Sequence, residues 1–115
     1  MGYDVHITRA ADWTQSDEFP ISLDEWLGYV ARDPEMRLVG CAEAQIGEDI
    51  LRVESEGLSV WMAYSGHGIG GNMAWFSHGY GMVYVKNPDE EILGKMRQIA
   101  RQLNANVIGD EGEYY

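Results

Sequence analysis

The chain has 115 residues, enough for one domain with one modest core, and its 45% hydrophobic and 23% charged residues are ordinary for a globular protein. Eight Lys and Arg stand against nineteen Asp and Glu, a net charge of −11 that phosphate backbones would repel, so nucleic-acid binding is not expected. No run of about 18 apolar residues is present to span a membrane.

The opening "MGYDVHITRA" has no basic region followed by an apolar core, and His6 stands where a myristoylation signal needs Ser or Thr. Tyr3, Val5 and Ile7 alternate with Asp4, His6 and Thr8, which predicts a strand with one apolar face. "ISLDEWLGYVARDP" then predicts a helix. Ser22 and Glu25 form a capping box, and Ile21 and Trp26 are placed to form a hydrophobic staple. Leu23, Trp26, Leu27 and Val30 make its apolar stripe, and Asp33-Pro34 ends it.

Short strands are expected near Glu43–Ile46 and Ile50–Glu54, and a stronger one over Leu58–Ser65. Cys41 is the sole cysteine, so it forms neither an internal disulfide nor a two-cysteine zinc site. With no His beside it, it reads as a small buried apolar residue, and a single cysteine fits a reducing cytoplasm. Met73–Phe76 and Gly81–Lys86 read as a hairpin turning at "SHGYG". "NPDEEILGKMRQIARQLN" predicts a second helix, capped by Asn87 with Pro88 at its first position. Ile92, Met96, Ile99 and Leu103 form its stripe, and Lys95, Arg97 and Arg101 complement its dipole. A last strand covers Asn106–Ile108. The order β-α-β-β-β-β-α-β predicts a single α+β domain over residues 1–115, a largely antiparallel twisted sheet with both helices packed on one face.

"SGHGIGGN" contains G-x-G-x-x-G, but "NMAWFSHGYGMVYV" follows it with no cap and no helical period. A dinucleotide loop needs a helix there, so Gly66–Gly71 is expected to be a mobile hairpin loop, and no cofactor is assigned. His67 and His78 occupy glycine-flanked turns. A metal site would require His67, His78 or His6 to converge with carboxylates such as Asp110 or Glu111; exposed loop histidines are the plainer reading, and no metal is assigned. No catalytic set is evident. Trp61, Tyr64, Trp75, Phe76, Tyr80 and Tyr84 crowd into two neighbouring strands with mixed parity, so some aromatic surface is expected on the helix-free face.

The stretches "YDVHITRAADW", "ISLDEWLGYVARDPEMRL", "SGHGIGGNMAWF" and "VKNPDEEILGKMRQIARQLNANVIGDEGEYY" together resemble a widespread family of small, uncharacterised bacterial proteins with an N-P-D-E-E…G-D-x-G-E-x-Y ending. That resemblance implies no activity, cofactor or catalytic residue. In type alone, a small acidic cytoplasmic domain is also similar to immunity proteins, which neutralise toxins. The expected function is therefore an acidic cytoplasmic protein-binding domain, an immunity-type inhibitor of a basic toxin. Trp61, Trp75, Tyr80, Asp110, Glu111 and Glu113 are its expected contact residues. The alternatives are a small-molecule binder or enzyme with a pocket at His67, His78 and Tyr64, and a subunit that forms a homodimer through a sheet edge. The tail "GDEGEYY" is expected to turn back on the sheet, its tyrosine rings packed and its acids wet.

Overall fold

Alternation at the start of the chain and helical periodicity after Ser22 produce the elements they announce. The computed structural model describes residues 3–46, 48–54, 56–71 and 73–115. Its elements are β1 (Asp4–Thr8), α1 (Leu23–Arg32), β2 (Met36–Leu38), β3 (Cys41–Ile46), β4 (Asp49–Glu54), β5 (Ser59–Trp61), β6 (Trp75–Gly79), β7 (Met82–Lys86), α2 (Glu90–Leu103) and β8 (Asn106–Gly109). Gly2, Asn72 and the side chain of Cys41, whose burial the sequence predicts, lie outside the described residues.

Six strands form one antiparallel sheet in the order β2-β5-β6-β7-β1-β8, while β3 and β4 pair with each other. Val5 opposes Val85, and Ile7 opposes both Val83 and Val107. These residues, with Phe76 and Trp61, meet Trp26, Tyr29 and Val30 of α1 and Ile92, Met96, Ile99 and Leu103 of α2 in one core. The architecture is α+β with both helices on one face, as the sequence predicts.

Among the described residues six strands lie between the helices, one more than the five expected segments and two more than the expected order holds. The three residues of β2 are too short to show a period, and β5 stops at Trp61 because the chain turns at Met62 and Ala63. The first cap forms as predicted, with Ser22 Oγ accepting from the Glu25 N–H at 3.1 Å and Glu25 Oε1 accepting from the Ser22 N–H at 3.2 Å. The second cap does not. Asp89 has extended backbone and accepts from the Ile92 N–H at 2.9 Å, whereas Asn87 sits at φ 50 and accepts from the Tyr3 N–H at 2.9 Å. Asn87 thus ties the start of β1 to the end of β7.

After Tyr64 the glycine-rich loop runs through a short 3₁₀ turn (Ile69–Gly71) towards β6 rather than into a helix. Ser65 anchors it, donating from N–H and Oγ to Glu91 at 3.0 and 2.5 Å. No helix among the described residues is long and apolar enough to cross a membrane.

The tail returns to the sheet as expected, but by a different force. The Gly109 N–H donates to the Glu113 carbonyl at 2.8 Å, the Tyr115 N–H to the Val107 carbonyl at 2.9 Å, and Ile108 bridges Tyr114. Tyr114 and Tyr115 remain 58% and 42% exposed, so backbone pairing with the edge strand, and not ring packing, orders the end of the chain.

Candidate functional site

Because Val5 and Ile7 point into the core, Asp4, His6 and Thr8 point to the helix-free face. There His6 stands between Tyr84 of β7 and Ile108 of β8. The chain then folds over this face. Asp12 caps a 3₁₀ turn (Trp13–Gln15), accepting from the Thr14 N–H at 3.0 Å and its hydroxyl at 2.8 Å, which holds the Asp12 carboxyl below its ordinary pKa. Ser16, fully buried, shares a hydrogen bond of 2.6 Å with the Thr8 hydroxyl.

This pinning lays the indole of Trp13 flat on the imidazole of His6, with centroids 4.1 Å apart and planes 7° from parallel. Trp13 Nε1–H also donates to the Asp110 carbonyl at 3.3 Å, joining the turn to the tail.

Between the turn and the tip of the β6–β7 hairpin lies a cavity of about 480 Å³, lined by Asp4, His6, Trp13, Asp17, Tyr80 and Tyr84 among others. Trp13 and Thr14 also line a second cavity of about 360 Å³, which reaches Asp12, Asp110 and Glu111. Asp12 and Asp17 from the start of the chain and Asp110 and Glu111 from its end therefore meet across one indole. Among the described residues, neither cavity is lined by a Lys or an Arg.

Tyr80 and Gly81 form the hairpin tip with φ 55 and 78. Two positive φ values in a two-residue turn suit Asn-Gly best, and a tyrosine in the first position is strained. Gly81 is required there, because a Cβ would lie 2.6 Å from the Ser16 carbonyl oxygen. The strained Tyr80 is 81% exposed and lines the larger cavity.

At the cavity floor the donors are arranged unusually. His6 Nδ1 lies 2.9 Å from the Ile108 carbonyl oxygen, and its Nε2 lies 3.5 Å from Asp110 Oδ1. The Asp4 N–H donates to Asp110 Oδ2 at 2.8 Å. Asp4 Oδ1 is buried without a hydrogen-bond partner among the described residues.

Of the contact residues expected from sequence, Tyr80, Asp110 and Glu111 belong to this site. Trp61 does not. It is a core residue on the helix side, its Nε1–H donating to Glu35 at 3.1 Å, so it has no surface to offer a partner. Glu113 accepts from the Tyr3 hydroxyl and serves the tail turn. Trp75, half-buried on the helix-free face, lines a separate cavity of about 240 Å³ with Tyr64.

The pocket expected at His67, His78 and Tyr64 does not assemble. Tyr64 stacks on Trp61 and donates to Asp89 at 2.5 Å, while His78 Nε2 meets the Ile21 carbonyl at 2.7 Å beneath α1. Neither histidine lines the cavity beside Tyr64. The condition for a metal site is met instead by His6 with Asp110. Asp4, Trp13 and Asp17 are not among the site residues expected from sequence, whereas Tyr84 belongs to the aromatic set expected to surface on the helix-free face. The polar alternation of β1 signals Asp4 and His6, but nothing local shows that residues 12–17 fold onto them.

No protein-family model matches this chain, nor does any curated protein or solved structure. A functional reading therefore rests on the site itself.

Proposed function

We propose that this chain is a protein-binding domain of the immunity type, an acidic cytoplasmic inhibitor that seats a lysine or arginine side chain of a basic toxin-like partner in the Trp13–Tyr80 cavity. One observation carries the reading. Asp4, Asp12, Asp17, Asp110 and Glu111 flank two adjoining cavities that share an aromatic wall and, among the described residues, include no Lys or Arg in their linings. Carboxylates attract an ammonium or guanidinium group, and the faces of Trp13, Tyr80 and Tyr84 offer it cation–π contact. The net charge of −11 would steer a basic partner towards the domain from a distance.

A small organic cation is the second reading, favoured by the cavity's volume of about 480 Å³, which lies within the usual range for small-molecule sites. The test is a titration in the presence of chelator, followed by NMR, with N-acetyl-arginine amide and with an arginine-rich peptide. The protein-partner reading expects the peptide to bind far more tightly, to move the Trp13, Tyr80 and Tyr84 signals, and to weaken as salt rises. Tyr80→Ala and Asp17→Asn should each cost about tenfold in affinity. Equal affinity for the two probes would favour the small-molecule reading. Shifts centred elsewhere, or variants that bind unchanged, would overturn both.

A further inference from the structure

We propose that Asp4, His6 and Asp110 form a site for one divalent transition-metal ion, held by one imidazole nitrogen and two carboxylates. Each of the three offers a ligand atom within 4.8 Å of the others. The sheet order creates this convergence: Asp4 and His6 are alternate residues of β1, and Asp110 directly follows β8, the neighbouring strand.

The imidazole is set for a metal. The Ile108 carbonyl, 2.9 Å from Nδ1, can only accept a hydrogen bond, so Nδ1 carries the proton. The lone pair is then on Nε2, which faces Asp110. A metal-bound histidine typically gives its other N–H to a carbonyl in this way. The 3.5 Å between Nε2 and Asp110 Oδ1 is close to the roughly 3.4 Å that separates two ligands of a tetrahedral ion bound at about 2.1 Å. The second oxygen of Asp110 is already oriented by the Asp4 N–H.

Two carboxylates beside one imidazole favour a cation at this point. The His6 side chain is 3% exposed and lies beside two carboxylates, and among the described residues neither cavity lining contributes a Lys or an Arg. One dication can engage an atom of each of the three residues at once, and Asp4 Oδ1 is buried with no hydrogen-bond partner among the described residues. One nitrogen and two oxygens without a thiolate suit zinc, cobalt or manganese, and the imidazole argues against calcium and magnesium. The ion would offset Asp4 and Asp110 but leave Asp12, Asp17 and Glu111 for a cationic guest, so this site and the partner reading stand or fall separately.

The experiment uses the untagged full chain, stripped with chelator and titrated with Zn²⁺ by calorimetry and with Co²⁺ by visible absorption, no partner being present. One equivalent should bind and raise the melting temperature. Asp110→Asn and Asp4→Asn should each weaken binding at least tenfold and leave the unliganded fold intact; His6→Ala should abolish it, and the two asparagine variants carry the test if His6→Ala does not fold. In long-range ¹H–¹⁵N spectra of the wild type, Zn²⁺ should move the His6 Nε2 signal. Failure of all three ions to bind, binding that the asparagine variants leave unchanged, or a His6 signal that Zn²⁺ does not alter would each overturn the site.

Discussion

The indole of Trp13 covers the imidazole of His6 in parallel, 4.1 Å from centroid to centroid, and separates the two acid-lined cavities. It is at once a lid on a buried histidine and a wall of the binding face. Trp13→Ala should therefore lower stability by about 1–3 kcal/mol in urea unfolding, through lost stacking and the lost bond to the Asp110 carbonyl. Trp13→Phe should restore the stacking share. Equal unfolding midpoints for wild type and Trp13→Ala would show that the turn is not held by this ring.

Tyr80 holds a left-handed backbone conformation that asparagine adopts more readily. Tyr80→Asn is expected to stabilise the fold by about 1 kcal/mol while weakening the arginine-rich peptide about tenfold. A variant that is less stable than wild type would refute the idea that the tip is strained for function.

Lys95 is buried, its Nζ 2.8 Å from Asp33 Oδ2 and 2.9 Å from Glu35 Oε1, and 5.8 Å from the centre of the Trp61 ring. Burial pushes the Asp33 carboxyl up, but hydrogen bonds from Lys95, Tyr29 and the Glu35 N–H outweigh it and hold the group below its ordinary pKa. Lys95→Met should cost about 3–5 kcal/mol, because it strands the Asp33 carboxylate. Adding Asp33→Asn should recover a substantial part of that loss, measured as coupling in a double-mutant cycle. Strict additivity would mean that the pair contributes nothing.

Glu25 closes the capping box and also takes two hydrogen bonds from Arg9, at 3.0 and 2.6 Å. The Arg9 guanidinium and the Ser22 N–H lower its pKa from an ordinary 4.5 to about 2. Between those values the unfolded chain binds the proton and the folded chain does not, so stability falls as pH drops through that window. Glu25→Gln keeps the capping geometry and removes the charge. Its melting temperature should lie below wild type at pH 7, and the gap should close between pH 4.5 and 2. A gap independent of pH would place the effect elsewhere.

Gly109 faces Glu113 and the Tyr3 hydroxyl so closely that a Cβ there would collide with both. Gly109→Ala should push the Glu113 carboxylate off the Tyr3 hydroxyl and lower stability by about 1 kcal/mol, the worth of that hydrogen bond. Deleting residues 109–115 should cost at least as much, because the edge of β8 then loses its pairing with Tyr114 and Tyr115. An unchanged melting temperature in the truncation would mean that the tail lies on the sheet without supporting it.

Features governed by residues within about four positions of each other could be read from the chain alone. The Ser22–Glu25 box, the alternation of β1, the stripe of α2 and the glycine-bearing hairpin tip are of this kind, since capping, pleat and helical period are local geometry. Where two local solutions compete, tertiary contact chose: Tyr3 claims Asn87, and Asp89 becomes the cap. Lys95 looked like a dipole cation because the groups that bury it, Asp33 and Glu35, lie sixty residues earlier, just past the end of α1. The site depends still more on tertiary structure. His6 meets Asp110 only because β1 lies between β7 and β8, and Trp13 covers both only because Ser16 finds Thr8 on the back of the sheet. Periodicity records which face a residue takes; which distant residue shares that face is settled by strand order and by the buried hydrogen bonds that must be satisfied once the core has closed.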